Sequence, residues 1–402
     1  MSTANLDSAD LKAVAKGGLI REDVMNKIFD ISRIPLPLTD MIGTESASNS
    51  YKEWTVDALQ QPDVTNAVVD GADASGNDTF TGGRVGNHHQ IAQKTVKVSF
   101  RADSSNIIGR AKELAYQISR RQQELRRDVE AIMLRNQASV ADDGGSTAGN
   151  VGGLPSWLKT NQASGYGFGA GGAVGGYNTT TGLTVARTPS TAARALTETF
   201  VRNAVQDVYL QGGDPSIFMA VPAVVRKLSE YMFTSSARVA TLMSDQDGSK
   251  QQAVAMGSVN VFVTDFGTLK MVPNRLQQFE PIGANLTTTV AGTIYAINSV
   301  GTTNWSTYGY NGSNPKAGQW FVASSSGAIA GTGNFRAVTS NAFVLDPEYL
   351  AISYLKGYRT EELAKTGLAE NRQMSVDFSL IVNNEKAHAL IGDIDHTAAV
   401  TA

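Results

Sequence analysis

The stretch GRAKELAYQISRRQQELRRDVEAIMLRNQAS, residues 109–139, carries the strongest structural signal in this sequence of 402 residues. From Asn106 to Ser139 the apolar side chains recur at spacings of three, four or seven, the pattern of a helix with one buried face. They are Ile107, Ala111, Leu114, Ile118, Leu125, Val129 and Ile132. A helix over this segment would be about 50 Å long. The pattern is interrupted at Arg121 and Gln122, which favours a solitary helix packed on a mixed domain over a continuous coiled coil.

The polar face of this predicted helix is rich in charged residues. Arg120 with Glu124, and Arg126 with Glu130, stand four residues apart. Opposite charges at that spacing stabilise a helix by only about 0.2–0.5 kcal/mol per pair. We therefore expect these side chains to lie on the solvated face.

On the N-terminal side of the helix, the sequence predicts a long two-stranded excursion. Segments 51–59 and 93–101 are strand-like, and the second alternates apolar with polar residues, as in a strand with one buried face. A stretch rich in Gly, Asp and Asn, Asp70–Asn87, lies between them. Because an isolated two-stranded hairpin is marginally stable in water, it needs another surface to lie on. A neighbouring subunit would provide one, and Trp54 on the first strand is a candidate anchor.

On the C-terminal side, residues 141–186 are glycine-rich and predict a flexible loop. A second helix is expected to begin with Thr188 as N-cap and Pro189 as its first residue, and to end at Gly212–Gly213. A short helix should begin at Pro222. Strand-like runs occupy residues 216–221, 259–266, 268–273, 341–346 and 349–355. This order of elements predicts a mixed α+β fold with two centres.

Residues 281–340 differ in kind from the rest of the chain. Lys316 and Arg336 are their only charged residues, Thr, Ser, Gly and Asn dominate, and short strand-like runs such as GTIYAINSV and GQWFVASS recur. Because strands are predicted on both sides, the segment indicates a small all-β domain inserted into a host domain.

Composition excludes several classes of function. The chain has no cysteine, so disulfides, thiolate catalysis, zinc-thiolate sites and iron–sulfur clusters are excluded. Charged residues make up 18%, against an average of about 25%, and such a lightly charged surface suits contacts between subunits. A net charge of -3 lacks the basic balance of a dedicated nucleic-acid-binding protein. No segment resembles a signal peptide or a membrane span, so we expect a protein made in the cytoplasm and no membrane partner.

Local motifs give no catalytic, cofactor or metal site. His88–His89 has no further histidine at a metal-binding spacing. Asp70–Asp78 alternates carboxylates with glycines but lacks the spacing of a calcium loop. The run GFGAGGAVGG, residues 167–176, has no Lys-Ser/Thr after it, as a phosphate-binding loop would. Glu361–Glu362 lies in a polar segment with no sign of a cleft. We therefore expect a turn, a loop and solvated charges at these positions, and a protein that is not an enzyme.

Several ordered blocks resemble one family, the major capsid proteins of tailed bacteriophages with the Hong Kong 97 type fold. They are EWTVDALQQPDVTNAVVDGADA (53–74), RVGNHHQI (84–91), the helix at 109–139, GGLPSWL (152–158), VFVTDFGTLKMVPNR (261–275), VLDPEYLAISYL (344–355) and ELAKTGLAENRQMSVDFSLIVNNEKAHALI (362–391). The resemblance covers most of the chain outside 281–340. One departure is Asp70, where the family pattern leads us to expect Glu before Gly71.

The resemblance implies a shell-building subunit with a known division into domains. The expected parts are an N-terminal arm (1–43), an E-loop β-hairpin reaching a neighbouring subunit (44–103), a peripheral domain with the long spine helix (104–234), an axial domain (235–280 and 341–367), the inserted β domain (281–340) and a return of the peripheral domain with the C-terminus (368–402). Copies of the chain would form hexamers and pentamers of an icosahedral head around double-stranded DNA. Scaffolding, portal or cement proteins are further possible partners.

Contacts between subunits are then the expected functional sites. The candidate residues are Trp54, Arg120, Arg121, Arg126 and Arg127. The arginines could form ion pairs between subunits, meet DNA phosphates without sequence specificity, or form a solvated face. Two rival functions remain open at this stage, namely an encapsulin-like nanocompartment shell and, in a different class, a β-rich surface-layer or adhesin protein.

Overall fold

The computed structural model describes residues 35–71, 73, 81–162, 165–232, 261–312, 314–365, 367–398 and 400. These residues form two compact units. The first contains residues 93–124 and 360–374, and the second contains the described parts of 35–92, 125–359 and 375–402. The predicted arm, 1–43, lies outside the described residues as far as residue 34.

The described residues contain six α-helices. They are α1 (Pro37–Met41), α2 (Phe100–Ser104), α3 (Glu113–Met133), α4 (Leu154–Trp157), α5 (Glu198–Leu210) and α6 (Pro222–Met232). Short 3₁₀ turns occur at Trp305–Tyr308, Pro347–Tyr349 and Glu385–Ala387. Helix α6 begins at Pro222, as the sequence predicts, and buries Val224 and Leu228.

Helix α3 is the predicted long helix, but it has 21 residues and is only about 32 Å long. It begins after the predicted Asn106 because Gly109 has a φ of 78° and the Asp103 carboxylate accepts a hydrogen bond from the backbone of Leu114 at 3.0 Å, as an N-terminal cap does. It ends before the predicted Ser139 because the Asn136 amide is hydrogen-bonded in both directions to the backbone of Arg187.

Helix α5 begins nine residues later than the sequence predicted. Thr197 is its N-cap, accepting a hydrogen bond from the backbone of Phe200 at 3.2 Å. The predicted cap, Thr188, instead forms a β-bridge with Ala173 through two backbone hydrogen bonds of 2.9 Å. The prediction was wrong because Thr-Pro is equally compatible with an extended segment.

The strands of the described residues pair differently from the predicted hairpin. They are β1 (Gly43–Ser46), β2 (Tyr51–Val56), β3 (Gly83–His88), β4 (Gln90–Ser99), β5 (Gly176–Asn178), β6 (Leu183–Val185), β7 (Ile217–Ala220), β8 (Val261–Thr264), β9 (Gly267–Pro273), β10 (Glu280–Leu286), β11 (Thr288–Thr289), β12 (Ile294–Ser299), β13 (Trp320–Val322), β14 (Gly327–Ala328), β15 (Asn334–Leu345), β16 (Leu350–Glu362), β17 (Ala369–Val382) and β18 (Ala389–Ile394). A four-stranded sheet has the order β1-β16-β17-β4.

The excursion is a hairpin, but its second strand was assigned wrongly. β2 pairs with β3 in antiparallel register, from Tyr51 opposite His88 to Val56 opposite Gly83. The expected partner at 93–101 belongs to β4, whose alternating Val96 and Val98 are buried in the other sheet. Two glycines in β3 weaken its strand signal in the sequence, which explains the error.

An eight-stranded sheet organises the second unit. Its main order is β13-β12-β15-β7-β9-β8, with β10 and β18 also paired to β15. The long strand β15 pairs with β10 and β12 through residues 334–339 and with β7 and β18 through residues 340–345. The predicted domain boundaries at 280/281 and 340/341 therefore fall inside the paired strands β10 and β15.

Part of the glycine-rich connector, residues 151–158, is buried and not a free loop. Leu154, Trp157 and Leu158 are buried, and a β5–β6 hairpin follows them. Its glycines allow close packing: a Cβ on Gly153 would lie 1.9 Å from the carbonyl oxygen of Arg135. At Gly153, the absence of a side chain therefore allows backbone to pack tightly against backbone.

The 281–340 region has an aromatic core distinct from the main core of the second unit. Its buried members are Tyr295, Ile297, Trp305, Phe321, Ala323, Ile329 and Phe335. The Trp305 indole donates to the carbonyl of Val300 at 3.0 Å. Edge-to-face packing of Phe321 on Phe335, at 5.9 Å between ring centroids, completes this core.

Candidate inter-subunit surfaces

The connection between β2 and β3, residues 57–82, is called the hairpin tip. Every residue from 57 to 71 is exposed. Four large aliphatic side chains are almost free of contacts with the rest of the described chain; Leu59, Val64, Val68 and Val69 are 100%, 94%, 84% and 79% exposed. Isolated apolar residues are common on surfaces, but four within eleven residues of an extended segment indicate a binding surface.

The hairpin tip is also strongly acidic. It carries aspartates at 57, 63, 70, 73 and 78, and no basic residue occurs between Lys52 and Arg84. Asp63 accepts two hydrogen bonds from Thr65, at 2.8 and 2.6 Å, which keep its pKa low. The tip therefore presents aliphatic side chains and negative charge together. The calcium interpretation of Asp70–Asp78 falls mostly outside the described residues.

The hairpin base, defined as β2 with β3, is anchored on its own subunit. The Trp54 indole donates to the carbonyl oxygen of Val382 at 3.1 Å, and its ring lies 5.3 Å from the ring of Trp157. Trp157 in turn stacks on Tyr177 at 5.6 Å. The sequence-based premise that the element carrying Trp54 lacks a core of its own is therefore wrong. Trp157 lies in the connector for which the glycine-rich sequence predicts a flexible loop.

Polar contacts reinforce this anchoring. The Tyr51 hydroxyl donates to the carbonyl of Gly182 at 2.9 Å and lies 3.0 Å from the Tyr177 hydroxyl; burial and the Tyr177 hydrogen bond raise the Tyr51 pKa. The buried Asn87 amide donates to the carbonyls of Gly152 and Leu380 at 3.2 and 2.8 Å. The hairpin base is thus part of the second unit's core.

The two neighbouring histidines serve packing in this base. Burial lowers the pKa of His88 and of His89, which disfavours the charged form of both rings. His88 packs on Tyr51 at 4.5 Å between ring centroids, and His89 Nδ1 lies 3.2 Å from the carbonyl oxygen of Ser50. Across the described residues, no three His, Asp or Glu side chains come together in a way that would hold a metal. Nor is any helix in the described ranges long and apolar enough to cross a membrane.

The candidate arginines all lie on α3. Successive helical residues point about 100° apart, so neither adjacent pair shares a face. In the first unit Arg121 forms an ion pair with Glu124, and Arg120 donates to the Tyr116 hydroxyl at 3.1 Å.

In the second unit Arg126 and Arg127 are exposed. The Arg126 guanidinium lies 5.4 Å from the centre of the Tyr358 ring, within the range of a cation–π contact. These two arginines are the exposed positive charges on this part of the helix.

Glu130, expected beside Arg126 on the solvated face, is fully buried. Its carboxylate accepts hydrogen bonds from the backbone of Leu38 and Thr39, both at 2.9 Å, from the Thr39 hydroxyl at 2.6 Å and from the Asn274 amide at 2.8 Å. It therefore caps the N-terminus of α1. The predicted Arg126–Glu130 pair is wrong because these four donors satisfy the carboxylate. No motif in the sequence distinguishes this glutamate from a surface one.

Comparisons with known proteins agree with this architecture. The sequence model of a family described as SU10 major capsid protein matches residues 3–302 and 328–395. The chain is 35% identical over 113 residues to the major capsid protein of Escherichia phage Phieco32, a match covering 28% of this chain and 32% of that protein. The chain thus spans about a third of the length of this curated relative.

Solved structures share the fold at low sequence identity. The cyanophage A-1(L) capsid asymmetric unit matches with a TM-score of 0.53 at 10% identity, over 96% of this chain and 99% of that one. A structure from Mycobacterium phage Cain gives 0.51 at 9%, over 98% and 100%. The capsid of a native GTA particle gives 0.50 at 13%, over 97% and 100%. The α+β fold of the Hong Kong 97 type that the sequence resemblance implies is confirmed.

Proposed function

The chain belongs to the SU10 major capsid protein family, and from this premise we propose that it is the shell-forming subunit of a tailed-phage head. Copies would assemble into hexamers and pentamers of an icosahedral shell in the host cytoplasm and enclose double-stranded DNA. The role is structural, and no step of catalysis is assigned to it.

The hairpin tip is the observation that carries this proposal. Its four aliphatic residues, at 59, 64, 68 and 69, are exposed in the single chain. Exposing them to water throughout the life of the protein would disfavour solubility, whereas covering them stabilises an assembly by about 25 cal/mol per Å² of apolar area. Permanent assemblies bury on the order of 2,000 Å² or more per interface. The exposed hairpin tip is suited to contribute to such an interface with another copy.

The distribution of charge supports a proposal for where the tip binds on a neighbouring subunit. The tip is acidic with no compensating cation, whereas Arg126 and Arg127 are exposed on the second unit of each copy. We assign the tip of one subunit to a basic surface of the next that includes these arginines. Electrostatic complementarity of this kind fixes register and excludes wrong partners. Contact of Arg120 and Arg121 with a neighbour, and of the four arginines with packaged DNA, stays a prediction.

A charge exchange between copies tests this assignment. Asp70→Lys with Asp73→Lys reverses two of the five negative charges of the tip, and Arg127→Glu reverses one positive charge of the helix. Each variant alone should give soluble, folded subunits that fail to form shells in negative-stain electron microscopy. The three changes together should restore shells in part. Lys316 is exposed in the 281–340 region. The variant Lys316→Glu is therefore the matched control and should assemble normally. Normal assembly of both single-sided variants would contradict the assignment.

The contents of the particles separate this function from its rivals. A capsid head purified from infected cells contains nuclease-protected double-stranded DNA, an encapsulin-like shell contains protein cargo, and a surface-layer protein forms open sheets. We expect closed shells with DNA.

The inserted β domain is proposed to stand on the outer face as a passive spacer. With one Lys and one Arg in sixty residues it has little attraction for DNA phosphate, and Arg336 already donates to the side chain of Asn285 at 2.8 Å. Residues 303–327, including Trp305 and Phe321, lie outside the family match. Because β10 and β15 belong to the main sheet, the test is to replace residues 287–333 by a Gly/Ser linker. Shells of normal diameter without protrusions are expected, and failure to assemble would make the domain part of the lattice.

A further inference from the structure

A fully buried ion cluster lies where the strands that lead into and out of the inserted domain meet the rest of the second unit. Glu280 is the first residue of β10, Asn341 lies in β15, Asp393 lies in β18, and Arg187 follows β6. The side chains of Arg187, Glu280 and Asp393 are 0%, 5% and 0% exposed. Neither the capsid function nor the sequence patterns account for three charges in this interior.

One cation faces two carboxylates in this cluster. Arg187 Nη2 lies 2.7 Å from Asp393 Oδ1, and Arg187 Nη1 lies 3.1 Å from Glu280 Oε2. The cluster therefore holds one surplus negative charge if both acids are ionised. Isolated charge inside a protein is strongly disfavoured, and a carboxyl group in that position is neutralised by binding a proton.

Arg194 is the other cation that faces the cluster, but its hydrogen bonds go to other groups. It is half-buried and interacts electrostatically with Asp393. Its guanidinium, however, donates to backbone carbonyls, those of Gly165 at 2.8 Å and Gly392 at 3.0 Å among them. It makes no hydrogen bond to either carboxylate among the contacts of the described residues.

The two acids differ in how well they are satisfied. Asp393 accepts from Arg187 with one oxygen and from the backbone of Gly169 with the other, at 2.7 and 3.3 Å. Glu280 Oε1 accepts from the Asn341 amide at 2.7 Å, whereas within the described structure Oε2 accepts no hydrogen bond. The Gln277 side-chain oxygen nearby in the chain is likewise without a donor there. A proton on Glu280 would add a donor where acceptors are in excess.

The backbone at this point is unusual as well. Asp393 has a φ of 60°, the one positive value at a residue other than glycine in the described chain. The pairing of β15 with β18 shifts register between Ser340 and Ala342, directly beside Asn341. Strain that persists inside a fold must be held by its surroundings, and the buried ion pair with Arg187 lies at this residue.

We propose that the cluster is a buried proton-binding site, in which Glu280 carries a proton in the folded subunit at neutral pH and Arg187 remains paired with Asp393. Burial raises the pKa of Glu280; the charge of Arg187 and the Asn341 hydrogen bond oppose this, and the charge of Asp393 adds to it. Loss of the proton would place two like charges around one arginine at the root of the inserted domain. The strands β10 and β15 would then be held less firmly to β18.

The sign of the pH dependence follows from linkage. An unfolded Glu ionises with a pKa of about 4.3, while the folded subunit keeps the proton on Glu280 to higher pH. In that window the folded state binds one more proton, so this group's contribution to stability falls as pH rises, by up to about tenfold in the unfolding equilibrium per pH unit.

Glu280→Gln mimics the protonated acid and supplies the test. Urea unfolding of unassembled full-length subunits is measured from about pH 5 to pH 8, where an ordinary Glu is ionised when unfolded, and the variant is compared with the parent at each pH. We expect the variant to gain stability relative to the parent as pH rises. Glu348→Gln, a change at an exposed residue, is the control. The difference in stability between this variant and the parent should be the same at every pH. Titration of His388 is common to all three proteins and cancels.

A constant loss of stability in Glu280→Gln at every pH would overturn the proposal, because it would mean an ionised Glu280 in an ordinary ion pair. If that variant does not fold, infrared spectroscopy of parent subunits labelled with ¹³C-glutamate decides the question. A carbonyl band of an un-ionised glutamic acid at neutral pH is expected, and its absence would refute the site. Asp393→Asn, which keeps a residue tolerant of positive φ, should remove the band by leaving Arg187 to Glu280.

Discussion

The hairpin base and the hairpin tip are continuous in sequence but differ in what surrounds them. In the base, Trp54 packs on Trp157 and Asn87 is fully buried. In the tip, every residue from 57 to 71 is exposed. The difference shows that one element can belong to its own subunit at one end and be available to another subunit at the other. Substitutions at the two ends should therefore affect different measurements.

The largest expected effect is on assembly, from the tip. Leu59→Ser, Val68→Ser and Val69→Ser together remove most of the exposed apolar surface of the tip without touching the core. We expect shell formation to be lost in electron microscopy, while the free energy of unfolding of the subunit in urea stays within about 0.5 kcal/mol of the parent, as for ordinary surface changes. A large loss of subunit stability would show that the tip packs on its own chain.

The base should respond in the opposite way. Trp157 is 2% exposed and touches both Trp54 and Tyr177. Trp157→Ala should cost about 3–5 kcal/mol of subunit stability, as large-to-small changes in cores do. Trp54→Ala, at a half-buried ring, should cost less but still destabilise the subunit in urea unfolding. If Trp54→Ala impairs assembly alone, the neighbour and not Trp157 is its main partner.

How far the sequence predicted these regions follows from the range of the interactions involved. The stripe of α3 predicted a helix because its signal is local, and Leu125 and Val129 are indeed buried. Its ends depended on Asp103 and Asn136, whose partners are non-local or lie in irregular backbone. The partner of Trp54 was missed for the same reason, since Trp157 is about a hundred residues away in a segment whose glycines suggested a free loop.

Residues that carry buried charge were missed entirely. Glu130 looks like one half of a surface pair, and nothing in the sequence marks Arg187 or Glu280 as buried. Burial of a charged group is decided by the assembled fold, where donors from distant segments converge. The family resemblance supplied the fold and the expectation of a shell-building role, but it gave no indication of these sites.

Acidic pH should lower the free energy of unfolding of the subunit through a group outside the hairpin tip. His388 is fully buried, and burial lowers its pKa to about 4. Its folded pKa is below the unfolded value of about 6.5, so the unfolded chain takes up the extra proton. Stability from this group is present above about pH 6.5 and is lost as pH falls towards 4, to a total of roughly 3 kcal/mol.

His388→Asn is the test of this acid effect. The variant should be less stable than the parent at neutral pH, because the His388 ring of the parent accepts a hydrogen bond from the backbone of Asp346 at 3.2 Å. Between about pH 6.5 and 4, however, the free energy of unfolding should fall less in the variant than in the parent. The tip variant should keep the parent's acid profile. An unchanged acid profile in His388→Asn would assign the effect to other groups.

The smallest effect is expected from the one ion pair that crosses the two strands of the hairpin base. Arg84 Nε lies 3.1 Å from Glu53 Oε1, and both side chains are exposed, at 72% and 38%. Exposed pairs of this kind contribute about 0–1 kcal/mol and are screened by salt. Arg84→Ala should therefore lower the free energy of unfolding by less than about 0.5 kcal/mol, and the difference should vanish in 1 M salt, where the screening length is about 3 Å.

The comparison with Trp54→Ala measures what holds the base to its subunit. Since the rings are packed against Trp157 and the charges face water, packing should dominate. A loss from Arg84→Ala as large as that from Trp54→Ala, and persistent in salt, would mean that β2 and β3 are held together by charge and that the aromatic contact is incidental.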